Sequence, residues 1–255
     1  MVDSTSPTSA LSANNYGAYE LIWIENNFSC SDTDTVVMVF HEIPIAFAGN
    51  TDTVCGLDYA LKAEYSVTGT SGTWSAPAGV SFSNVNDSDA MVTVPSFGTY
   101  TFLWLEDNAG CTDQASVQIT FLENPVANAG LNDTVCGLNN NLSASFSLSG
   151  TSGQWIVPAG LSLVDSTSPT SALSASTYGS YELLWIESNF SCSDTDTVVM
   201  VFHEIPIAFA GNTDTVCGLD YALKAEYSVT GALGTWSGPA AVSYTHLRAH
   251  ETSLH

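Results

Sequence analysis

Basic residues are almost absent from this sequence. Its 255 residues include three Lys and Arg against 26 Asp and Glu, so the formal net charge is −23 at pH 7. A chain this acidic repels nucleic-acid phosphates and anionic lipid headgroups, which excludes nucleic acid as a partner and adsorption to such membranes. Long hydrophobic runs are missing too. No stretch reaches the roughly 18 consecutive apolar residues of a transmembrane helix, so we expect no membrane insertion.

Sequence motifs of catalysis are also missing. The chain has no Gly-x-Ser-x-Gly elbow, no phosphate-binding loop and no His-Glu-x-x-His motif, and its cysteines lack zinc-site spacing. His41 and His203 occupy equivalent positions, each followed by Glu-Ile-Pro, and we interpret them as polar residues at junctions. The sequence therefore predicts a protein that is not an enzyme and has no catalytic residues.

Internal repetition, in contrast, is abundant. Residues 2–81 recur at 164–243 with few substitutions, and a more diverged copy lies between them. The period is 81 residues, which is the spacing within three sets: Cys30, Cys111 and Cys192; Cys55, Cys136 and Cys217; Pro44, Pro125 and Pro206. Repetition at a fixed period indicates a tandem array of one small structural unit.

The three prolines mark the expected unit boundaries. We predict two complete units at 44–124 and 125–205, the C-terminal half of a unit at 1–43 and the N-terminal half of another at 206–243. Since Met1 falls in the middle of a unit, we expect a fragment of a longer array whose signal peptide lies outside it.

The last twelve residues, 244–255, do not follow the repeat. Residues 242–252 read VSYTHLRAHET, which resembles translated read-through of a sequencing adapter. The alternative is a native tail that binds a metal through His246 and His250. We favour a non-native tail that takes no part in the fold.

Apolar and polar residues alternate within each unit at the period of two that is typical of strands. The alternation covers residues 59–65, 100–105 and 115–121, and shorter candidates lie at 53–54, 72–75, 80–83 and 90–94. Seven short strands in about 80 residues, without helical periodicity, predict an all-β protein of tandem Ig-like β-sandwich domains.

Aromatic residues fit this fold at two kinds of position. Tyr100, like Tyr19 and Tyr181, stands at the start of the penultimate strand, which is the place of the tyrosine corner in Ig-like folds. Trp74 and Trp104 are in phase with inward-facing residues, so we expect them in the core. The alternative is an exposed aromatic platform that binds carbohydrate.

Three segments of the repeat have a distinctive sequence: Pro-Val-Ala-Asn-Ala-Gly-Leu-Asn-Asp-Thr-Val-Cys at 125–136, Gly-Thr-Tyr-Thr-Phe at 98–102 and Gly-Cys-Thr-Asp at 110–113. In these segments the chain resembles PKD-like repeats. Such repeats fill large secreted and cell-surface proteins of Bacteroidetes-type bacteria and serve there mainly as spacers and adhesive stalks. The resemblance implies an extracellular or cell-surface location, and it implies little about activity.

Six cysteines in an exported repeat protein indicate disulfides. Two pairings respect the period: bridges within units (Cys55–Cys111 and Cys136–Cys192), or bridges across junctions (Cys30–Cys55, Cys111–Cys136 and Cys192–Cys217). We favour bridges within units, with Cys30 and Cys217 unpaired in the fragment. The last strand carries the chain about 30 Å away from Cys111, whereas bridged Cα atoms lie within about 7 Å.

Aspartates recur at the junctions. Asp52, Asp133 and Asp214 follow the three junctions, and Asp107 lies in a predicted turn. Carboxylate oxygens are the ligands that Ca²⁺ prefers, so these four residues are candidate calcium ligands that would stiffen the array. The alternative is that they act as turn and strand-end residues.

Three functions are compatible with the sequence. We favour a non-catalytic spacer or stalk of a large secreted or cell-surface, adhesin-like bacterial protein, whose partners are neighbouring repeats of the same chain. The second is an adhesive module that binds a surface glycan or protein through loops such as 66–72 and 84–89. The third is a set of accessory domains of an exported enzyme.

Overall fold

The computed structural model describes residues 3–239, so the predicted tail at 244–255 and the last residues of the predicted half-unit 206–243 lie outside the described residues. This part of the chain consists of strands, turns and loops. The strands are β1 (Gly17–Asn27), β2 (Cys30–Phe40), β3 (Asp52–Cys55), β4 (Asp58–Ala60), β5 (Ser71–Ser75), β6 (Ser81–Phe82), β7 (Met91–Thr93), β8 (Gly98–Asn108), β9 (Cys111–Leu122), β10 (Asp133–Cys136), β11 (Asn139–Asn141), β12 (Ser152–Ile156), β13 (Leu161–Leu163), β14 (Ala172–Ala175), β15 (Gly179–Asn189) and β16 (Cys192–His203). Among residues 3–239, no helix is long and apolar enough to cross a membrane.

Two sandwiches with the same topology follow one another. The first sandwich packs a four-stranded sheet, β3-β9-β8-β5, on a three-stranded sheet, β4-β7-β6. The second sandwich repeats this order as β10-β16-β15-β12 and β11-β14-β13. In both, the first strand pairs parallel to the last, while the other pairs are antiparallel. This topology confirms the predicted tandem Ig-like β-sandwich fold.

Alternating apolar residues build each core. The first core is centred on Trp74, Phe102 and Trp104, and Trp155 and Trp185 occupy the same positions in the second. The two tryptophan rings of each core lie 5.0 Å apart. All four tryptophans are at most 2% exposed, so the predicted core role is confirmed and the alternative carbohydrate platform is wrong at these positions.

The predicted tyrosine corners are also present. The Tyr100 hydroxyl donates to the Ser96 carbonyl at 2.9 Å, and Tyr181 makes the same bond to Thr177. One predicted strand is shorter than expected. After β4, the backbone N–H groups of Leu61 and Ala63 donate to the loop carbonyls of Ala90 and Ser88 rather than to a strand.

The parts before and after the two sandwiches are structured differently. We call β1 and β2 the N-terminal hairpin; it is a separate two-stranded sheet. We call residues 206–239 the C-terminal segment; it contains no strand and has one isolated bridge, Phe209 to Glu226. Both expose apolar side chains whose equivalents are buried in the sandwiches.

Candidate functional site: the junction between sandwiches

A buried carboxylate stabilises the entry end of each sandwich, where the chain arrives from the preceding unit. Glu106 is fully buried, and it accepts hydrogen bonds from the backbone N–H groups of Ser66 and Val67 and from the Ser66 and Thr70 hydroxyls, at 2.9–3.1 Å. Glu187 accepts the equivalent bonds from residues 147–151. Burial would raise the pKa of each carboxyl, but the hydrogen bonds outweigh burial and lower it.

This carboxylate is coupled to the junction through one serine. The Ser66 hydroxyl donates to Glu106 and accepts a hydrogen bond from the N–H of Ile45, at 2.7 Å, in the segment that enters the sandwich. Ser147 connects Glu187 to Val126 in the same way, at 2.8 Å. The buried carboxylate therefore orients the entering chain. Its oxygens already accept hydrogen bonds from the surrounding donors, so no acceptor site is left for a substrate.

The turn between the last two strands also contacts the junction. The side-chain amide of Asn108 donates to the carbonyl of Glu42, and that of Asn189 donates to the carbonyl of Glu123, both at 2.8 Å. Each sandwich therefore holds the chain that leaves the preceding unit. The same contacts recur one period apart, which indicates that the junction is part of the repeated structure.

A disulfide adds a covalent connection at the junction. Cys55 of the first sandwich is bonded to Cys192 of the second, with their Cα atoms 5.6 Å apart. Cys55 ends β3 and is paired in register with Leu122, where the chain leaves the first sandwich. Cys192 begins β16 beside Asn189, which contacts the carbonyl of Glu123 at the entry to the second sandwich.

Both pairings considered from the sequence are wrong for Cys55 and Cys192. The favoured bridge from Cys55 to Cys111 is prevented by β9, because Cys111 begins this strand and Cys55 lies beside its end. Twelve residues at about 3.3 Å each separate the two cysteines by more than 30 Å. The same geometry in β16 prevents a bridge from Cys136 to Cys192. Cys30, Cys111, Cys136 and Cys217 are unpaired in the structure.

The four candidate calcium ligands lie in separate places. Asp52, Asp133 and Asp214 each accept a hydrogen bond from the next backbone N–H, at 2.7–2.8 Å, and Asp107 accepts one from Gly110 at 2.6 Å. Within residues 3–239, no three His, Cys, Asp or Glu side chains form a group that could hold a metal ion. Calcium binding at these aspartates stays a prediction.

The loops of the first sandwich are tied to the fold. Loop 66–72 is held by Glu106, and the Asn86 side chain in loop 84–89 donates to the Gly72 carbonyl at 2.9 Å. Asp87 accepts a hydrogen bond from the Trp74 indole N–H through its carbonyl. Both loops that could carry an adhesive site therefore contribute to the sandwich itself.

The chain matches no protein-family model, and no curated protein sequence matches it. Its strands are similar to those of solved Ig-like tandems. Extracellular domains 3–5 of Drosophila OTK share 9% identity over 76% of this chain and 73% of theirs, with a TM-score of 0.48. A three-Ig fragment of titin shares 13% over 65% and 68%, with a TM-score of 0.38.

A PKD domain from the KIAA 1837 protein is 28% identical over 31% of this chain and 85% of its own, with a TM-score of 0.28. The fold assignment rests on the strand order and register of the chain itself.

Proposed function

We propose that this chain is a non-catalytic structural repeat array that acts as a spacer or stalk in a secreted or cell-surface protein. The observation that carries the proposal is the bridge between Cys55 and Cys192. It gives the two sandwiches a second covalent connection besides the polypeptide at Glu123. Two connections at one junction restrict reorientation of the sandwiches, as a spacer of fixed length requires.

The bridge also supports an extracellular location. Disulfides persist in oxidising compartments and are rare in the cytosol. The net charge of −23 favours solubility of a long array, because its units repel one another instead of aggregating. Neighbouring units are the partners that this proposal requires.

Small-angle scattering of the monomeric fraction tests the proposal with a matched pair of variants. Cys55→Ser removes the bridge, whereas Cys136→Ser changes the equivalent, unpaired residue of the second sandwich. We expect Cys55→Ser to broaden the distribution of distances between the two sandwiches and Cys136→Ser to leave the profile unchanged. A Cys55→Ser profile that superimposes on the wild type would contradict the spacer role of the bridge.

A further inference from the structure

The bridge between Cys55 and Cys192 is a covalent short cut through both sandwiches. Along the backbone the two cysteines are 137 residues apart, whereas the bridge holds their Cα atoms at 5.6 Å. When the chain is pulled on both sides of the sandwiches, the shorter of the two covalent routes becomes taut first. Tension therefore crosses from Cys55 to Cys192, and residues 56–191 lie outside the load path.

Most strands of both sandwiches belong to these bypassed residues. Residues 56–191 contain β4 to β9 of the first sandwich and β10 to β15 of the second. Only β3 and β16 remain on the load path. Without the bridge, tension would enter each sandwich by its first strand, leave by its last strand and pull the two apart. With the bridge, tension acts on a single strand of each sandwich.

The loaded part of the first sandwich, residues 44–55, is fixed along its length. The N–H of Ala46 donates to the Asp113 carboxylate at 2.9 Å, and the N–H of Glu64 donates to the Phe47 carbonyl at 3.0 Å. Farther along, β3 pairs in parallel with β9 over all four of its residues. Because tension runs along β3 and these hydrogen bonds run across it, all the bonds of the strand are loaded together. This arrangement resists withdrawal of the segment.

The loaded part of the second sandwich is β16, which begins at Cys192. This strand pairs with the whole of β15 on one side and with β10 on the other, so it lies inside its sheet. A strand already rises about 3.3 Å per residue, and a fully stretched chain reaches about 3.6 Å. The 12 residues of β16 can therefore lengthen by only about 4 Å. Tension passes along this strand with almost no change in its length.

The bridge also relieves the polypeptide junction between the two sandwiches. Glu123 and Val126 lie in this junction, within the bypassed residues. Hydrogen bonds hold them, from the Asn189 amide to the Glu123 carbonyl and from the Val126 N–H to the Ser147 hydroxyl, both at 2.8 Å. A hydrogen bond contributes little net stability, since water competes for its partners. These contacts persist under tension because the disulfide, a covalent bond, carries the load.

We propose that the array bears tension, with the bridge between Cys55 and Cys192 as its load-bearing connection and residues 56–191 protected from the load. This inference rests on the spacer role proposed above and adds a mechanical function to it. A pulled spacer keeps its length, because almost all the chain that unfolding releases stays within the loop that the bridge closes. Reduction of the bridge returns both sandwiches to the load path, so the redox state of two cysteines sets how far the array extends.

Force spectroscopy of the full chain, attached by tags at both termini, tests the proposal. In Cys55→Ser both sandwiches lie on the load path, so we expect two unfolding steps of about 27–29 nm, the length of an 81-residue unit at about 3.3–3.6 Å per residue. Wild type with the bridge intact should lack both steps. When both chains are fully stretched, wild type should be shorter by about 45–49 nm, the length of residues 56–191.

Two further measurements serve as controls. Cys136→Ser replaces the equivalent, unpaired cysteine of the second sandwich and keeps the bridge, so it should behave like wild type. Wild type can also be reduced after attachment, because Cys55 is exposed. Dithiothreitol gives two electrons and two protons to the bridge and becomes a cyclic disulfide. The two steps should then appear, and this comparison needs no variant that must fold without the bridge.

The outcomes separate this inference from the spacer role. Both unfolding steps in wild type with the bridge intact, or equal full lengths of wild type and Cys55→Ser, would overturn the tension-bearing role. The spacer role is tested separately, by scattering without load. A Cys55→Ser scattering profile equal to that of wild type, together with the expected force steps, would contradict the spacer role and leave the load path in place.

Discussion

Cys55 and Cys192 are 137 residues apart in sequence, and their Cα atoms are 5.6 Å apart across the junction of two sandwiches. The separation equals one period of 81 residues plus the 56 residues between Cys55 and Cys111 of the first sandwich. The bridge connects two neighbouring units, so it stabilises their junction rather than a single sandwich.

Loss of this bridge should destabilise the protein. Cys55→Ser opens a closed loop of 137 residues, and we expect the free energy of unfolding to fall by about 2–5 kcal/mol, since the cross-link no longer limits the unfolded chain. Denaturant unfolding of the monomer under non-reducing conditions measures the change. Cys136→Ser, at the equivalent unpaired position, should unfold like the wild type, and an equal loss in both variants would argue against the bridge.

Glu106 should contribute to stability through its hydrogen bonds. In Glu106→Gln, an NH2 group replaces one of the two carboxylate oxygens that accept hydrogen bonds from the N–H groups of Ser66 and Val67. Because the NH2 group is a donor, it cannot accept that hydrogen bond. We expect a loss of about 1–3 kcal/mol for each buried group left without a partner. Chemical denaturation checks this, with the exposed Glu64→Gln as control. A Glu106→Gln protein as stable as the control would contradict the proposed anchoring of loop 66–70.

Stability should also depend on pH through the two buried carboxyl groups. Burial raises and the hydrogen bonds lower the pKa values of Glu106 and Glu187, with a net result below the ordinary 4.5. In unfolded chains these groups bind protons near pH 4.5, before they do in the folded protein, so their stabilisation is complete above that pH. It is lost as the pH falls through the lower folded-state values.

Unfolding curves between pH 3 and pH 7 measure this dependence. Replacing both residues, as Glu106→Gln with Glu187→Gln, should flatten the fall in stability below pH 4.5. An unchanged slope in the double variant would show that other carboxylates cause the acid sensitivity.

Much of this fold follows from local sequence patterns. The period-two alternation in residues 100–105 and 115–121 predicted the two longest strands of the first sandwich, β8 and β9, and the phase of Trp74 and Trp104 predicted their burial. Alternation is informative there because one face of each strand is buried against the other sheet. Residues 61–63 alternate too, but a loop supplies their hydrogen-bond partners.

The site was harder to predict because it depends on long-range geometry. Nothing in the local sequence around Glu106 distinguishes it from the exposed acids; its donors come from residues 66–70, nearly 40 residues earlier. The cysteine pairing requires knowledge that β3 runs parallel to β9, which places Cys55 and Cys111 at opposite ends of one sandwich. The period of 81 alone could not select the bridge, because pairings within units, across junctions and to the next unit all repeat with it.

Close packing at Gly72 gives a prediction that compares two copies of one repeat position. Gly72→Ala would place a Cβ 2.0 Å from the Trp104 ring, and we expect a loss of about 1–3 kcal/mol as the core shifts to accept it. Gly234→Ala is the matched control, since a Cβ at this equivalent position would meet only the side chain of Tyr227. Thermal unfolding of the two monomers should differ clearly; equal transitions would contradict the packing described for the first core.

Disulfide mapping of the oxidised monomer establishes directly whether Cys55 is bonded to Cys192. Because residues 52–57 and 214–219 have the same sequence, the experiment uses Cys217→Ser, which makes the Cys55 peptide unique after cleavage before aspartate. We expect peptide 52–57, with Cys55, to be recovered bonded to peptide 165–193, with Cys192. Recovery of Cys55 bonded to Cys111, with Cys136 bonded to Cys192, would contradict the bridge between the two sandwiches.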